Sequence, residues 1–139
     1  MRQLFKNRYR LAFLCLSGSA LLAGCATYTD PVREGNLSIE RVSSQRADVG
    51  YVYVREESGK YRVRGTVKKR FSSRGPIPGN VHISLIDPAG EILSDTPVRY
   101  KRKSVKSRSA DFHLQLASEP PTGSTLRVTH HRASHGHTL

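Results

Sequence analysis

The sequence predicts an all-β domain made of two packed sheets, and three observations predict it. After about residue 36, apolar residues recur at every second position in short runs. Gly, Pro, Asn, Asp and Ser interrupt those runs at near-regular spacing. Past the first two dozen residues, no segment sustains the 3.6-residue apolar period of a helix.

The elements follow in order. Leu37, Ile39 and Val42 mark a first strand over 37–42. Residues 50–71 read as a hairpin, in which Val52 and Val54 alternate with Tyr51 and Tyr53 and Ser58-Gly59 supplies the turn. Its return strand alternates Val63, Gly65 and Val67 with Arg62, Arg64, Thr66 and Lys68. The stretch 72–80, SSRGPIPGN, holds too much Pro and Gly for regular structure and reads as a loop. A second hairpin sets Val81, Ile83 and Leu85 on one face and closes through Asp87-Pro88-Ala89-Gly90. Pro97 lacks an N–H to donate, which restricts the returning strand to an edge or a bulge. Phe112, Leu114 and Leu116 then face inward, with His113 and Gln115 outward, and Leu126 and Val128 belong to the last strand. Seven short strands in roughly 100 residues fit an immunoglobulin-type β-sandwich over 37–131. A small open barrel is the second architecture. With no Trp in the chain, no antibody-type Cys–Trp–Cys pattern is available.

The first 24 residues differ in kind. Arg2, Lys6, Arg8 and Arg10 precede the apolar run LAFLCLSGSALLAG, which is too short to span a bilayer comfortably. A basic start, a short apolar stretch and small residues at its end compose a secretory signal over 1–24. Leu22-Ala23-Gly24-Cys25 resembles the lipobox of bacterial lipoproteins. The resemblance implies cleavage before Cys25 and acylation of its thiol and new amino terminus with palmitate-class chains. Each buried methylene contributes about 0.8 kcal/mol, so two or three chains hold a small domain on a membrane. Ala26 stands where many inner-membrane lipoproteins carry aspartate, so the implied destination is the periplasmic face of the outer membrane. Residues 25–36, poor in apolar groups, are expected to form a flexible tether.

A second likeness runs along the domain. Val63, Gly65 and Val67, then Pro78-Gly79, Val81 and Asp87-Pro88-Ala89-Gly90 begin the pattern. Phe112, Leu114 and Leu116, followed by Pro121, Gly123-Ser124 and Leu126-Arg127-Val128, complete it. The pattern is similar to that of small bacterial envelope lipoproteins with an immunoglobulin-like domain. Since these are core and turn positions, the likeness implies a fold and no activity.

Cys15 falls in the signal and Cys25 carries the lipid, so the mature domain has no disulfide and no thiolate ligand. Setting aside the four cations of the signal leaves 19 of the 23 Lys and Arg against 11 Asp and Glu. The basic excess therefore belongs to the mature domain.

Three candidate sites emerge. His130, His131, His135 and His137 crowd the C-terminus, residues 132–139 forming a flexible tail. If the last strand runs through His131, adjacent imidazoles point to opposite faces and cannot share an ion. If it stops at Thr129, His131, His135 and His137 can gather around Cu²⁺, Zn²⁺ or Ni²⁺. No acid follows Glu119 to complete such a site, and a solvated strand end accounts for the same residues. Outward His82 and His113 are further candidates. The second site is RYKRKSVKSR, where Arg99, Lys101, Arg102, Lys103, Lys106 and Arg108 occur without one acid. Arg62, Arg64 and Lys68 share a strand face, and Lys69-Arg70 and Arg74 continue into the following loop. Export argues against nucleic acid and leaves an anionic envelope surface or an acidic protein as partner, or else a solvated loop that blunts an edge strand. Catalysis is the third: Ser, His and Asp are present without a Gly-x-Ser-x-Gly elbow or phosphate loop, so no enzyme is expected. No cofactor is implied beyond a Cu, Zn or Ni ion.

Overall fold

The structure, a computed structural model, describes residues 28–71 and 75–132. The signal segment, Cys25, Arg74, His135 and His137 lie outside the described residues. Within them the chain is all-β, with eight strands: β1 Leu37–Val42, β2 Ala47–Glu57, β3 Lys60–Lys69, β4 Asn80–Ile86, β5 Ile92–Val98, β6 Lys101–Arg102, β7 Ser109–Gln115 and β8 Ser124–His131. The count differs from the expected seven because Lys101 and Arg102, inside the basic run, pair with Asp111 and Ala110 at a sheet edge.

The strands form two four-stranded sheets, sheet A in the order β2-β3-β7-β6 and sheet B in the order β1-β8-β4-β5. Neighbours are antiparallel except β1 and β8, which run parallel from Leu37↔Ser124 to Val42↔Thr129. The two strands lie far apart in sequence, so their pairing closes sheet B across the whole domain. β5 pairs only with β4, consistent with Pro97 in an edge strand.

The turns follow local chemistry. Ser58 and Gly59 both take positive φ, 53° and 73°, the two-residue geometry whose twist matches the strands it joins. Glu56 Oε1 accepts from the Gly59 N–H. In the second hairpin the Gly90 N–H donates to the Asp87 carbonyl at 3.0 Å, and Asp87 Oδ1 accepts from the Glu91 N–H at 2.8 Å.

Val63, Val67 and Phe112 from sheet A meet Val81, Ile83, Leu126 and Val128 from sheet B in a buried core. Burying each such side chain contributes about 1.5–3 kcal/mol, the dominant support in a domain without crosslinks. Gly65 lies opposite Phe112, and a Cβ there would collide with the Phe112 ring and approach the Tyr51 carbonyl at 2.8 Å. The missing side chain is what lets the ring cover the strand.

Residues 28–36 depart from the expected tether. Thr29 exchanges backbone hydrogen bonds with Glu56 at 3.0 and 2.9 Å, and Pro31 is buried. Asp30 Oδ1 accepts from the Val32 and Arg33 N–H groups and starts a turn that returns to Leu37. Low apolar content concealed this docking, because backbone bonds to the open edge of β2 supply it.

Candidate functional site: the outer face of sheet A

Alternation along three paired strands places polar side chains on the solvent side of sheet A in transverse rows. One row is Arg55–Arg62–Gln115, the next Tyr53–Arg64–His113. Asp111 stands between Thr66 and Lys101 in a third, and Lys68 opposes Ser109 in a fourth. The basic face of β3 and the first part of the basic run, separate in sequence, thus share one surface, spaced by β7. Strands in a sheet lie about 4.8 Å apart, so cations on β3 and β6 are about 10 Å from each other.

β2 adds aromatics. Its register slips by one residue between Val49 and Val52, a bulge that re-aims the chain at Gly50-Tyr51. A Cβ on Gly50 would collide with Thr66 Oγ1, so the bulge brings backbone against that side chain. The Tyr51 and Tyr53 rings stack at 6.0 Å with 16° between planes. The Arg55 guanidinium lies 4.6 Å from the Tyr28 ring centre and 5.3 Å from that of Tyr53.

The predicted basic residues divide. Arg99, Lys101, Lys103, Lys106 and Arg108 are exposed, and Lys103 Nζ lies 3.5 Å from Asp111 Oδ2. Arg102 leaves the set, since its guanidinium donates to the Gly75 and Val105 carbonyls at 3.1 and 3.0 Å. Of the neighbouring cations, Lys69 turns inward and donates to the Gly75 carbonyl, Arg70 binds Asp48 at 2.6 Å and Arg62 pairs with Glu57 at 3.3 Å. No hydrogen bond or ion pair occupies the side chains of Arg64, Lys68 or Lys101 among the described residues.

The histidines divide as well. β8 continues through His131, so His130 and His131 face opposite ways. His130 is 3% exposed and belongs to the interior, which removes it from any shared metal site with His131. Ser44 Oγ accepts from the Arg46 and Ala47 N–H groups, so its O–H donates to His130 Nδ1 at 2.8 Å. That assigns the proton to Nε2, which lies 3.5 Å from the Tyr100 hydroxyl, and the Pro78 carbonyl also bonds the ring. Burial holds His130 below the 6.5 of a free imidazole, with the charge of His131 acting in the same direction and the Pro78 hydrogen bond against it. Tyr100 donates toward the Gly79 and Ile77 carbonyls at 2.7 and 3.0 Å, and burial pushes its phenol up to about 12.

His131 is exposed on the other side, edge-to-face with His82 at 4.7 Å. His82 Nδ1 lies 3.2 Å from Asp95 Oδ2, and Ser84 Oγ donates to Asp95 Oδ1 at 2.8 Å. Asp95 is held below its ordinary range by the Ser84 hydrogen bond first and His82 second. The serine therefore bonds the aspartate and not the imidazole, which is not the order of a nucleophile–base relay. His113 is exposed on sheet A, remote from β8 in the sheet order. Among the described residues no group of three or more His, Cys, Asp or Glu is placed to hold a metal ion, and no helix is long and apolar enough to cross a membrane.

Comparison with known proteins returns no matching family model, curated protein or solved structure. The chemistry of the surface therefore carries the functional reading. Sequence reasoning had found the cations of this face but not the tyrosines as part of it. The signal was Tyr51 and Tyr53 in phase with Arg55, opposite the inward valines.

Proposed function

We propose that this protein is a lipid-anchored, non-enzymatic binding module of the bacterial envelope, held through Cys25 on the periplasmic face of the outer membrane. The outer face of sheet A is its contact with an anionic surface. One observation carries this reading: Arg64 and Lys68 on β3 and Lys101 on β6 converge on one face without intramolecular partners among the described residues. Each cation near an anionic surface contributes about 1 kcal/mol. The immunoglobulin-like reading has support in the strand order. Sheet A follows an A-B-E-D plan and β5-β4-β8 a C′-C-F plan, with β1 in the place of strand G but parallel to its neighbour.

The test places acylated protein in neutral vesicles and measures their clustering with anionic vesicles by light scattering. Joint Arg64→Glu, Lys68→Glu and Lys101→Glu substitution abolishes clustering if the reading is right, and unchanged clustering refutes it. Incorporation of a labelled palmitate analogue, lost in Cys25→Ala, tests the anchor separately.

A second reading, binding of Cu²⁺, Zn²⁺ or Ni²⁺ through His131, His135 and His137, draws on the exposed His131 ring beside His82. Titration calorimetry showing no stoichiometric uptake removes it.

A further inference from the structure

The same face holds a groove of about 330 Å³ that general attraction to an anionic surface leaves unused. Tyr51 and Tyr53 of β2, Arg64 of β3, and Asp111 and His113 of β7 line it, and Gly65 and Phe112 complete it. Its volume falls within the range of small-molecule sites, and its lining is aromatic and polar rather than aliphatic. Tyrosine offers a broad rigid face at little entropic cost, and Tyr51 is 58% exposed. Arg64 and His113 form a cross-strand pair without a hydrogen-bond partner among the described residues. Among the described residues the only ionic contact of the Asp111 carboxylate is with the solvent-exposed Lys103, at 3.5 Å.

These groups ask for a ligand with three properties. It must present an apolar C–H face to a tyrosine ring, hydroxyls to both donors and an acceptor, and a negative charge to a guanidinium fork. A hydroxylated ring bearing an acid has all three.

We propose that this groove binds an acidic saccharide, its ring against Tyr51 and Tyr53 and its carboxylate or phosphate on Arg64. The assignment rests on sheet A's outer face being the binding face. Asp111 and His113 take the ring hydroxyls, and Lys101, opposite Asp111 in the sheet, keeps the local charge favourable to the acid. Carboxylated and phosphorylated sugars share this chemistry, so both serve as probes.

The experiment titrates the full acylated chain, in neutral detergent micelles, with glucuronic acid, glucose 6-phosphate, glucose and tetraglutamate, read by amide chemical-shift changes. At least one acidic sugar should bind about tenfold more tightly than glucose, the worth of one charge-assisted contact. Its shifts should fall at residues 51–53, 64–66 and 111–113. Tyr51→Ala should weaken binding about fivefold, and Arg64→Gln should make acidic and neutral sugars equivalent. The preferred acid identifies the charged group. Absence of binding by both acidic sugars overturns the proposal, as does tetraglutamate binding as tightly, or affinity unchanged in Tyr51→Ala. Vesicle clustering by the same protein separates the two readings. Clustering retained without sugar binding removes the groove alone. Sugar binding in a protein that does not cluster anionic vesicles removes the general anionic-surface reading and leaves the groove.

Discussion

The outer faces of the two sheets carry similar residue types and use them in opposite ways. On sheet B the charges satisfy one another across strands. Arg127 Nε donates to Glu40 Oε2 at 2.7 Å, and Asp95 receives both Ser84 and His82. On sheet A, Arg64, Lys101 and Lys68 stand in three successive rows of one face, with one weakly engaged aspartate in the middle row. Exposed like charges gathered on one face repel, so folding gains nothing from them. The difference teaches where to look for function: sheet B spends its polar groups on itself, whereas sheet A, beyond the Arg62–Glu57 and Arg70–Asp48 pairs, keeps Arg64, Lys68 and Lys101 for something else.

The contrast can be broken at several points. The largest effect is expected at Gly65. Gly65→Val drives a branched side chain into the Phe112 ring, costing about 1–3 kcal/mol as an overpacked site. Denaturant unfolding measures it, and the groove on sheet A should be lost along with the stability.

Next comes acid. His130 binds its proton less readily folded than unfolded, so the unfolded chain takes up more protons below about pH 6.5. Stability should therefore be full above that value and fall as pH drops toward the depressed native pKa. Around the ring stand Ser44 from the β1–β2 connection, Tyr100, the Pro78 carbonyl and His131 on its own strand. Lys69 and Arg102 hold the Gly75 carbonyl of the same loop. The melting temperature should be lower at pH 5 than at pH 7.5. His130→Phe should flatten that dependence even if it lowers the melting temperature throughout.

A double-mutant cycle on Arg127 and Glu40 tests the sheet B side. Both groups are near half-exposed, so a coupling of about 0.2–1 kcal/mol is expected, with anionic-vesicle clustering unchanged. The smallest effect on stability belongs to sheet A. Lys68→Gln should leave the unfolding free energy within about 0.5 kcal/mol while measurably weakening vesicle clustering. A large loss of stability there would mean that the cations of sheet A support the fold after all.

Much of the fold was legible because period-two alternation was strong. Val63, Val67, Val81, Ile83, Phe112, Leu126 and Val128 are inward as expected, and the turns at Ser58-Gly59 and Asp87 to Gly90 occur where turn chemistry places them. β6 was not legible, since two residues in a cationic run carry no period. Nor was the parallel pairing of β1 with β8, which depends on closing the whole chain and not on any local pattern. The site was half visible. Cations announce themselves, but Ala47 and Val49 point inward in the phase that Tyr51 and Tyr53 hold outward, and no residue type signals that β2 changes phase at Gly50. His130 looked like its neighbours in the histidine run, and one further residue of strand sent it inside.

The parallel junction of β1 and β8 has a mechanical consequence. Leu37 begins beside Ser124, so β1 enters the domain at one pole, and β8 ends at the other. A load applied between those ends pulls the two strands past each other lengthwise. All six paired positions then resist together, whereas a hairpin pulled at its open ends parts one bond at a time. A domain tethered at its first strand and gripped at its last would meet tension in its strongest direction.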